Sequence, residues 1–137
     1  MDEKLFNKLY KMGEEIVLKN QDLIVKTGRS IVACCVVGES GNIYTGLNVG
    51  WWHSTCAEIT ALSNAWQGGE RQLKYLMAIK LNRLDNKVRI VSPCGICREM
   101  YFNLQPEIKV ILSGEKTKYR VKTLGELLPD FDYNIVK

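Results

Sequence analysis

The stretch SIVACCVVGESGNIYTGLNV, residues 30–49, decides the fold. Its first half, SIVACCVV, is a continuous run of small apolar residues, the mark of a buried strand. GESGN, residues 38–42, is a turn, and IYTGLNV, residues 43–49, reads as the returning strand of a hairpin. Upstream, EKLFNKLYKMGEEIVLKN puts Leu5, Leu9, Met12 and Ile16 on helical spacing, which predicts an amphipathic helix ending before KTGRS.

Downstream, GWWHST, residues 50–55, reads as a loop, with Ser54 or Thr55 placed to cap the next helix. In that helix Glu58, Ala61, Leu62 and Ala65 share a face, and QGG ends it. LKYLMAIKL predicts a strand and NRLDNK a turn. VRIVSP leads into a short helix that begins near Cys94. EIKVILSG and KYRVKT predict two further strands, and TLGELLPD a short helical turn stopped by Pro129. Helices alternate with strands throughout, without repeats or linkers, so residues 1–137 read as one domain of the α/β sandwich class.

At 137 residues the chain can bury a core without disulfide staples. The net charge is +4, with Lys and Arg interleaved among Asp and Glu, so no basic run marks a nucleic-acid footprint. No apolar stretch approaches the roughly 20 residues that span a bilayer, and no signal-peptide segment opens the chain. The expectation is a cytoplasmic protein that does not engage membranes. Five cysteines, Cys34, Cys35, Cys56, Cys94 and Cys97, read in a reducing compartment as metal-binding or catalytic rather than as disulfides.

SPCGICRE, residues 92–99, carries the chemistry together with HSTCAEITALSNAW, residues 53–66. Cys94 and Cys97, three apart at a helix start, face the same way and can grip one ion. Pro93 suits the helix entrance, where its missing N–H costs nothing. Cys56 offers a third sulfur from the start of another helix. Three protein ligands leave a tetrahedral zinc one open position, as catalytic sites do. Both helix N-termini would face the metal and favour thiolate over thiol. Arg98 is placed to hydrogen-bond a thiolate and offset its charge. Glu58, two residues past Cys56, lies within reach of a water on the open position. Zinc lowers the pKa of such a water from about 15.7 to about 7, and a neighbouring carboxylate can collect and return its proton. A buried acid is costly to keep as mere structure.

CAE followed by PCGIC and CRE resembles the cytidine deaminase family, zinc deaminases of which a three-cysteine site is one variant. GNIYTGLNV resembles the family's second strand and TLGELLP its C-terminal segment, so residues from about 30 to 130 are covered. The resemblance implies a three-layer α/β/α sandwich with a mixed five-stranded sheet, and assembly as a homotetramer or dimer. It implies zinc on Cys56, Cys94 and Cys97, with Glu58 as the proton carrier. It further implies attack of activated water at C4 of a cytosine ring, protonation of N3 and then of the amino group by Glu58, and loss of ammonia. Backbone near Ala57 and Ser92 is implied to hold the ring, and Asn48 to approach the sugar.

The chain departs from the family at NVGWW, where Gly50 stands in place of a glutamate that holds ribose hydroxyls. Ser30, a candidate substrate-binding residue, occupies the region where an aromatic usually stands. Both departures are similar to blasticidin-S deaminases, relatives that act on a cytosine nucleoside antibiotic. The substrate is therefore expected to be a free cytosine nucleoside, cytidine or deoxycytidine, or an analogue such as blasticidin S. A polynucleotide-editing deaminase and a non-catalytic zinc-binding relative are the alternatives. His53 reads as a loop residue rather than a fourth ligand, and Cys34 and Cys35 as small core hydrophobes. Trp51 and Trp52 either cover the site or serve loop or subunit packing. Phe131 and Tyr133 either pack on the domain or approach a neighbouring subunit's pocket.

Overall fold

The hairpin read from residues 30–49 is the spine of the observed architecture. The computed structural model describes residues 1–131, so Tyr133 lies outside the described residues. In chain order the elements are α1 (Glu3–Lys19), α2 (Asp22–Thr27), β1 (Ile31–Gly38), β2 (Ile43–Leu47), β3 (Val49–Gly50), β4 (Ser54–Thr55), α3 (Ala57–Gln67), β5 (Leu73–Leu81), β6 (Val88–Val91), α4 (Gly95–Leu104), β7 (Lys109–Ser113), β8 (Tyr119–Thr123) and α5 (Leu124–Leu127). Five strands run in the order β2-β1-β5-β7-β8, and a sixth, β6, also pairs with β5. Among the described residues only β5 and β7 pair in parallel, with Tyr75 opposite Lys109, so the sheet is mixed. The five strands implied by the resemblance are thus the continuous path, and β6 is added beside it.

The continuous apolar run of β1 works because both of its faces are covered. Ile31, Ala33, Cys35 and Val37 join Met77, Ile79 and Leu81 of β5 against Phe6, Leu9 and Val17 of α1. Cys34 and Val36 join Leu76, Val110 and Leu112 on the other face, against Ala57, Ala61 and Leu62 of α3 and Tyr101 of α4. Alternate side chains along a strand point to opposite faces, so one strand serves two cores. Cys34 and Cys35 are fully buried, one in each core, as small hydrophobes. Burial pushes the Cys35 thiol up to about 12, and its Sγ contacts the Leu9 carbonyl at 3.7 Å.

The contact line of α1 differs from the sequence expectation. The fully buried row is Phe6, Leu9, Gly13 and Val17, with Leu5, Met12 and Ile16 half-buried beside it. Gly13 lets that row come close to the sheet, since a Cβ there would lie 2.4 Å from Ile79 Cδ1, while Leu5, Met12 and Ile16 pack against the same core from beside it. The chain after α1 also contains a second short helix, α2, closed by Gly28 in the left-handed region at φ 71°.

A closer approach sets the depth of α3. A Cβ on Gly46 would sit 2.2 Å from Ala61 N and 2.6 Å from Ala57 O, so backbone packs on backbone where β2 passes beneath the first turns of the helix. Asn64 Nδ2 donates to Thr45 O at 2.7 Å beside this contact. At the far end of α3, Glu70 accepts hydrogen bonds from Ser40 and from Tyr44 OH, tying the helix exit to the hairpin. Gly46→Ala is expected to cost about 1–3 kcal/mol, as overpacking does where neither neighbour can move aside. Thermal or denaturant unfolding of that variant checks it.

Candidate metal centre and active site

Cys56 is the N-cap residue of α3 and Cys94 that of α4, so each helix begins at a sulfur. Ser54 and Thr55 do not cap α3. They form β4, paired with Val49 and Gly50 in a two-residue ribbon, which leaves Cys56 in the cap position. Cys97 stands on the first turn of α4, fully buried, while Cys56 is half-buried and Cys94 exposed. The three Sγ atoms lie within 4.8 Å of one another, and no other His, Cys, Asp or Glu among the described residues joins the group. His53 is therefore an exposed loop residue, as expected.

The geometry fits a zinc ion. The Cys56 and Cys94 sulfurs are 3.8 Å apart. Tetrahedral zinc with Zn–S bonds of about 2.3 Å separates its sulfurs by about 3.8 Å. Electrostatics around the sulfurs are graded. Burial pushes the Cys97 thiol well above its ordinary value, reinforced by the nearby Glu58. Burial also raises Cys56. At Cys94 burial is outweighed by the Cys97 and Ile96 amides at the start of α4 and by the neighbouring thiols, and its pKa falls below the ordinary value.

Glu58 is 4% exposed, one residue inside α3 from Ala57. Burial raises its carboxyl pKa, against hydrogen bonds from its own amide and from the Cys97 thiol. The fully buried Tyr101 of α4 donates its hydroxyl to the Glu58 carbonyl oxygen and so joins the opening turns of the two helices. That clamp had no signal in the sequence, since an aromatic at a helical core position reads only as packing.

A cavity of about 280 Å³ opens over these groups, lined among others by Cys56, Ala57, Glu58, Ser92, Cys94 and Asn48. Of the residues singled out in the sequence, these come together. Ser30 does not line it. Its carbonyl accepts from Asn48 Nδ2 at 3.0 Å and its hydroxyl accepts from the Arg83 amide at 2.9 Å, which places it behind the wall. Asn48 spends its Oδ1 on the Val32 amide at 2.9 Å, so much of its amide capacity goes to holding the start of β1.

Arg98 differs from its expected contact with sulfur. Its Nε donates to Pro93 O at 2.9 Å, one NH group to Leu127 O at 3.1 Å and another to Ser92 Oγ at 2.7 Å. The fork geometry of a guanidinium suits it to bridge several acceptors. Here it fastens the segment before α4 to α5 and holds Ser92 at the cavity.

The ribbon explains the departure at residue 50. Gly50 has φ 154°, and a Cβ would lie 2.4 Å from His53 O and 2.5 Å from Ser54 Cα, so no side chain fits without shifting the turn. Trp51 and Trp52 are absent from the lining of the cavity. Trp51 donates its indole N–H to Lys26 O at 3.3 Å, and Trp52 is 97% exposed. Phe131 packs edge-on against Phe102 with ring centroids 5.4 Å apart. Arg29, Val32, Val49, Lys80 and Val91 also line the cavity, and local sequence patterns did not identify them.

Three converging sulfurs, a fourth position left to a non-protein ligand, and a buried carboxylate beside them equip a metal-assisted hydrolase. Residues 8–113 match the family described as the cytidine and deoxycytidylate deaminase zinc-binding region. The chain belongs to that family and is a zinc-dependent hydrolase of the deaminase class. Blasticidin-S deaminase from Bacillus cereus is 24% identical over 123 residues, covering 84% of this chain and 86% of that protein. Cytidine deaminase from Halalkalibacterium halodurans is 29% identical over 120 residues, covering 85% and 87%. The crystal structure of cytidine deaminase from Burkholderia pseudomallei superposes with a TM-score of 0.61 at 28% identity, covering 75% of this chain and 82% of that one. That of the Bacillus anthracis enzyme reaches 0.73 over 95% and 91% at 20% identity, a likeness of fold. No helix among the described residues is long and apolar enough to cross a membrane.

Zinc binds thiolates, and burial holds protons on Cys97 and Cys56, so metal uptake releases protons. Apparent zinc affinity is expected to rise with pH and fall as the thiols are protonated. Calorimetric titration of the metal-free protein in buffers of different ionisation enthalpy checks both the release and the pH trend.

Proposed function

We propose that the chain catalyses hydrolytic deamination of a cytosine nucleoside, with water and the 4-amino compound giving the 4-oxo compound and ammonia. The observation that carries this reading is the buried Glu58 carboxylate set between the thiol group and a cavity large enough for a small ring. Cys56, Cys94 and Cys97 are assigned as the zinc ligands. Zinc supplies the Lewis acidity that lowers the pKa of water to about 7.

The remaining steps belong to the chain's own groups. Glu58 takes the proton of the attacking water as its oxygen adds at C4, and delivers it to ring N3. It then carries the second proton to the amino group, which departs as ammonia. A carboxyl whose pKa is raised by burial suits this shuttling, because its two protonation states lie closer in free energy at neutral pH. Backbone around Ala57 and Ser92 holds the ring, and Arg98 keeps the Ser92 segment in place through its bond to Ser92 Oγ. Asn48 retains one N–H and one lone pair toward a sugar hydroxyl after its bonds to Val32 and Ser30.

The similarity to both a blasticidin-S deaminase and cytidine deaminases supports a free nucleoside or nucleoside analogue as substrate. A site built on cysteines suits a reducing compartment, which favours action in the cytoplasm. Val49, Trp51 and Trp52 form an exposed apolar surface around the ribbon, consistent with assembly of several copies.

Glu58→Gln is expected to retain zinc and lose deamination by about 10²- to 10⁴-fold, the usual contribution of a positioned acid–base group. Metal content and ammonia release, measured on the same preparation, check it. Undiminished turnover in that variant would remove Glu58 from the mechanism.

A further inference from the structure

The mouth of the cavity gives a small reagent access to two of the three sulfurs. Cys56 and Cys94 line it and Cys94 is exposed, whereas Cys97 is fully buried and does not line it. The other two cysteines, Cys34 and Cys35, are sealed in the cores. A thiolate is at once the metal ligand and the nucleophile that an oxidant meets, and exposure decides which sulfur reacts first. Cys94 is that sulfur.

Geometry supplies its partner. The Cys56 and Cys94 sulfurs stand 3.8 Å apart and a disulfide bond is about 2.05 Å, so a gap of about 1.8 Å has to close. Both residues are N-caps with extended backbone, and neither sulfur makes a capping hydrogen bond to its helix. Turning the two side chains toward each other therefore breaks no bond within α3 or α4. Cys97, the alternative partner three residues on, sits inside the first turn of α4.

We propose that Cys56 and Cys94 form a peroxide-driven switch, closing as a disulfide that releases the zinc and reopening under a dithiol. It rests on the deaminase reading and adds how that same site is turned off. The Cys94 sulfur attacks one oxygen of hydrogen peroxide, the O–O bond breaks, and the leaving hydroxide takes a proton from solvent to become water. Cys56 then attacks the sulfenic sulfur, the S–S bond forms, and the sulfenic oxygen leaves as a second water with another solvent proton. Two sulfurs give up two electrons in all, and one peroxide becomes two waters. The metal is left with a single sulfur and departs. In a reducing compartment a dithiol returns the two electrons by thiol–disulfide exchange, which resets the site.

The test titrates the zinc-loaded full chain with hydrogen peroxide beside a chromophoric zinc chelator, then alkylates the denatured chain and maps its thiols by mass spectrometry. Cutting after Glu39 and Glu58 separates Cys56 from Cys34 and Cys35. The expected result is one zinc released per Cys56–Cys94 disulfide, with the alkyl label on Cys34, Cys35 and Cys97. Dithiothreitol followed by added zinc should restore the metal content. A Cys94–Cys97 disulfide, sulfinic acid on Cys94 without any disulfide, zinc retained while the thiols are lost, or a release that dithiothreitol does not reverse overturns the switch. Ammonia release from cytosine nucleosides, assayed before and after oxidation, separates the two readings. Reversible release of zinc from a chain that deaminates none of them sinks the proposed reaction and leaves the switch. Deamination that persists through peroxide treatment, with zinc still bound, does the reverse.

Discussion

Two helices begin at sulfur, and everything at the site depends on their N-termini meeting. Cys56 and Cys94 cap α3 and α4, so the partial positive charge at each helix start faces the place where thiolates gather. The meeting is enforced from below and from the side. Gly46 lets α3 lie directly on β2, and the Tyr101 hydroxyl reaches the Glu58 carbonyl from α4. Shifting either helix by an ångström would separate sulfurs that now stand 3.8 Å apart. A tetrahedral centre tolerates little of that, so fold stability and metal geometry are coupled through the same few contacts.

The same contacts position the carboxylate. Glu58 is buried because its helix turn is pressed onto the sheet, and that burial raises its pKa. Arg98 contributes from outside the sulfur group, tying the segment through Ser92 and Pro93 to α5. The sulfur group and the Glu58 carboxylate are thus held by packing of elements distant in sequence. The rest of the cavity wall is built differently, from Val49, Ser54 and Thr55 of a tight ribbon turned at Gly50 and from Arg29 and Lys80.

Much of this was legible in the sequence wherever the signal is local. The apolar run of β1, the hairpin turn and the face formed by Glu58, Ala61, Leu62 and Ala65 follow from period and turn chemistry alone. The three cysteines and Glu58 stood out because thiols and an acid at helix entrances have few other uses. What was not legible depends on contacts between distant segments. The place of Gly13 in the most buried row of α1 depends on its approach to Ile79, and Ser54 and Thr55 lost the cap position to Cys56 because they pair with Val49 and Gly50. Arg98 found carbonyl acceptors that only the docking of α5 supplies. Arg29 and Lys80, 51 positions apart, meet one cavity through the pairing of β1 with β5.

The central claim is a zinc held by three sulfurs, with its fourth position left to water. Zinc K-edge X-ray absorption of the zinc-loaded protein tests it most directly. The account predicts three sulfur scatterers at about 2.3 Å and a single oxygen neighbour without the outer-shell pattern of an imidazole. Four sulfurs, or a bound histidine ring, which in this chain could only be His53, would make the centre closed and structural and contradict the account.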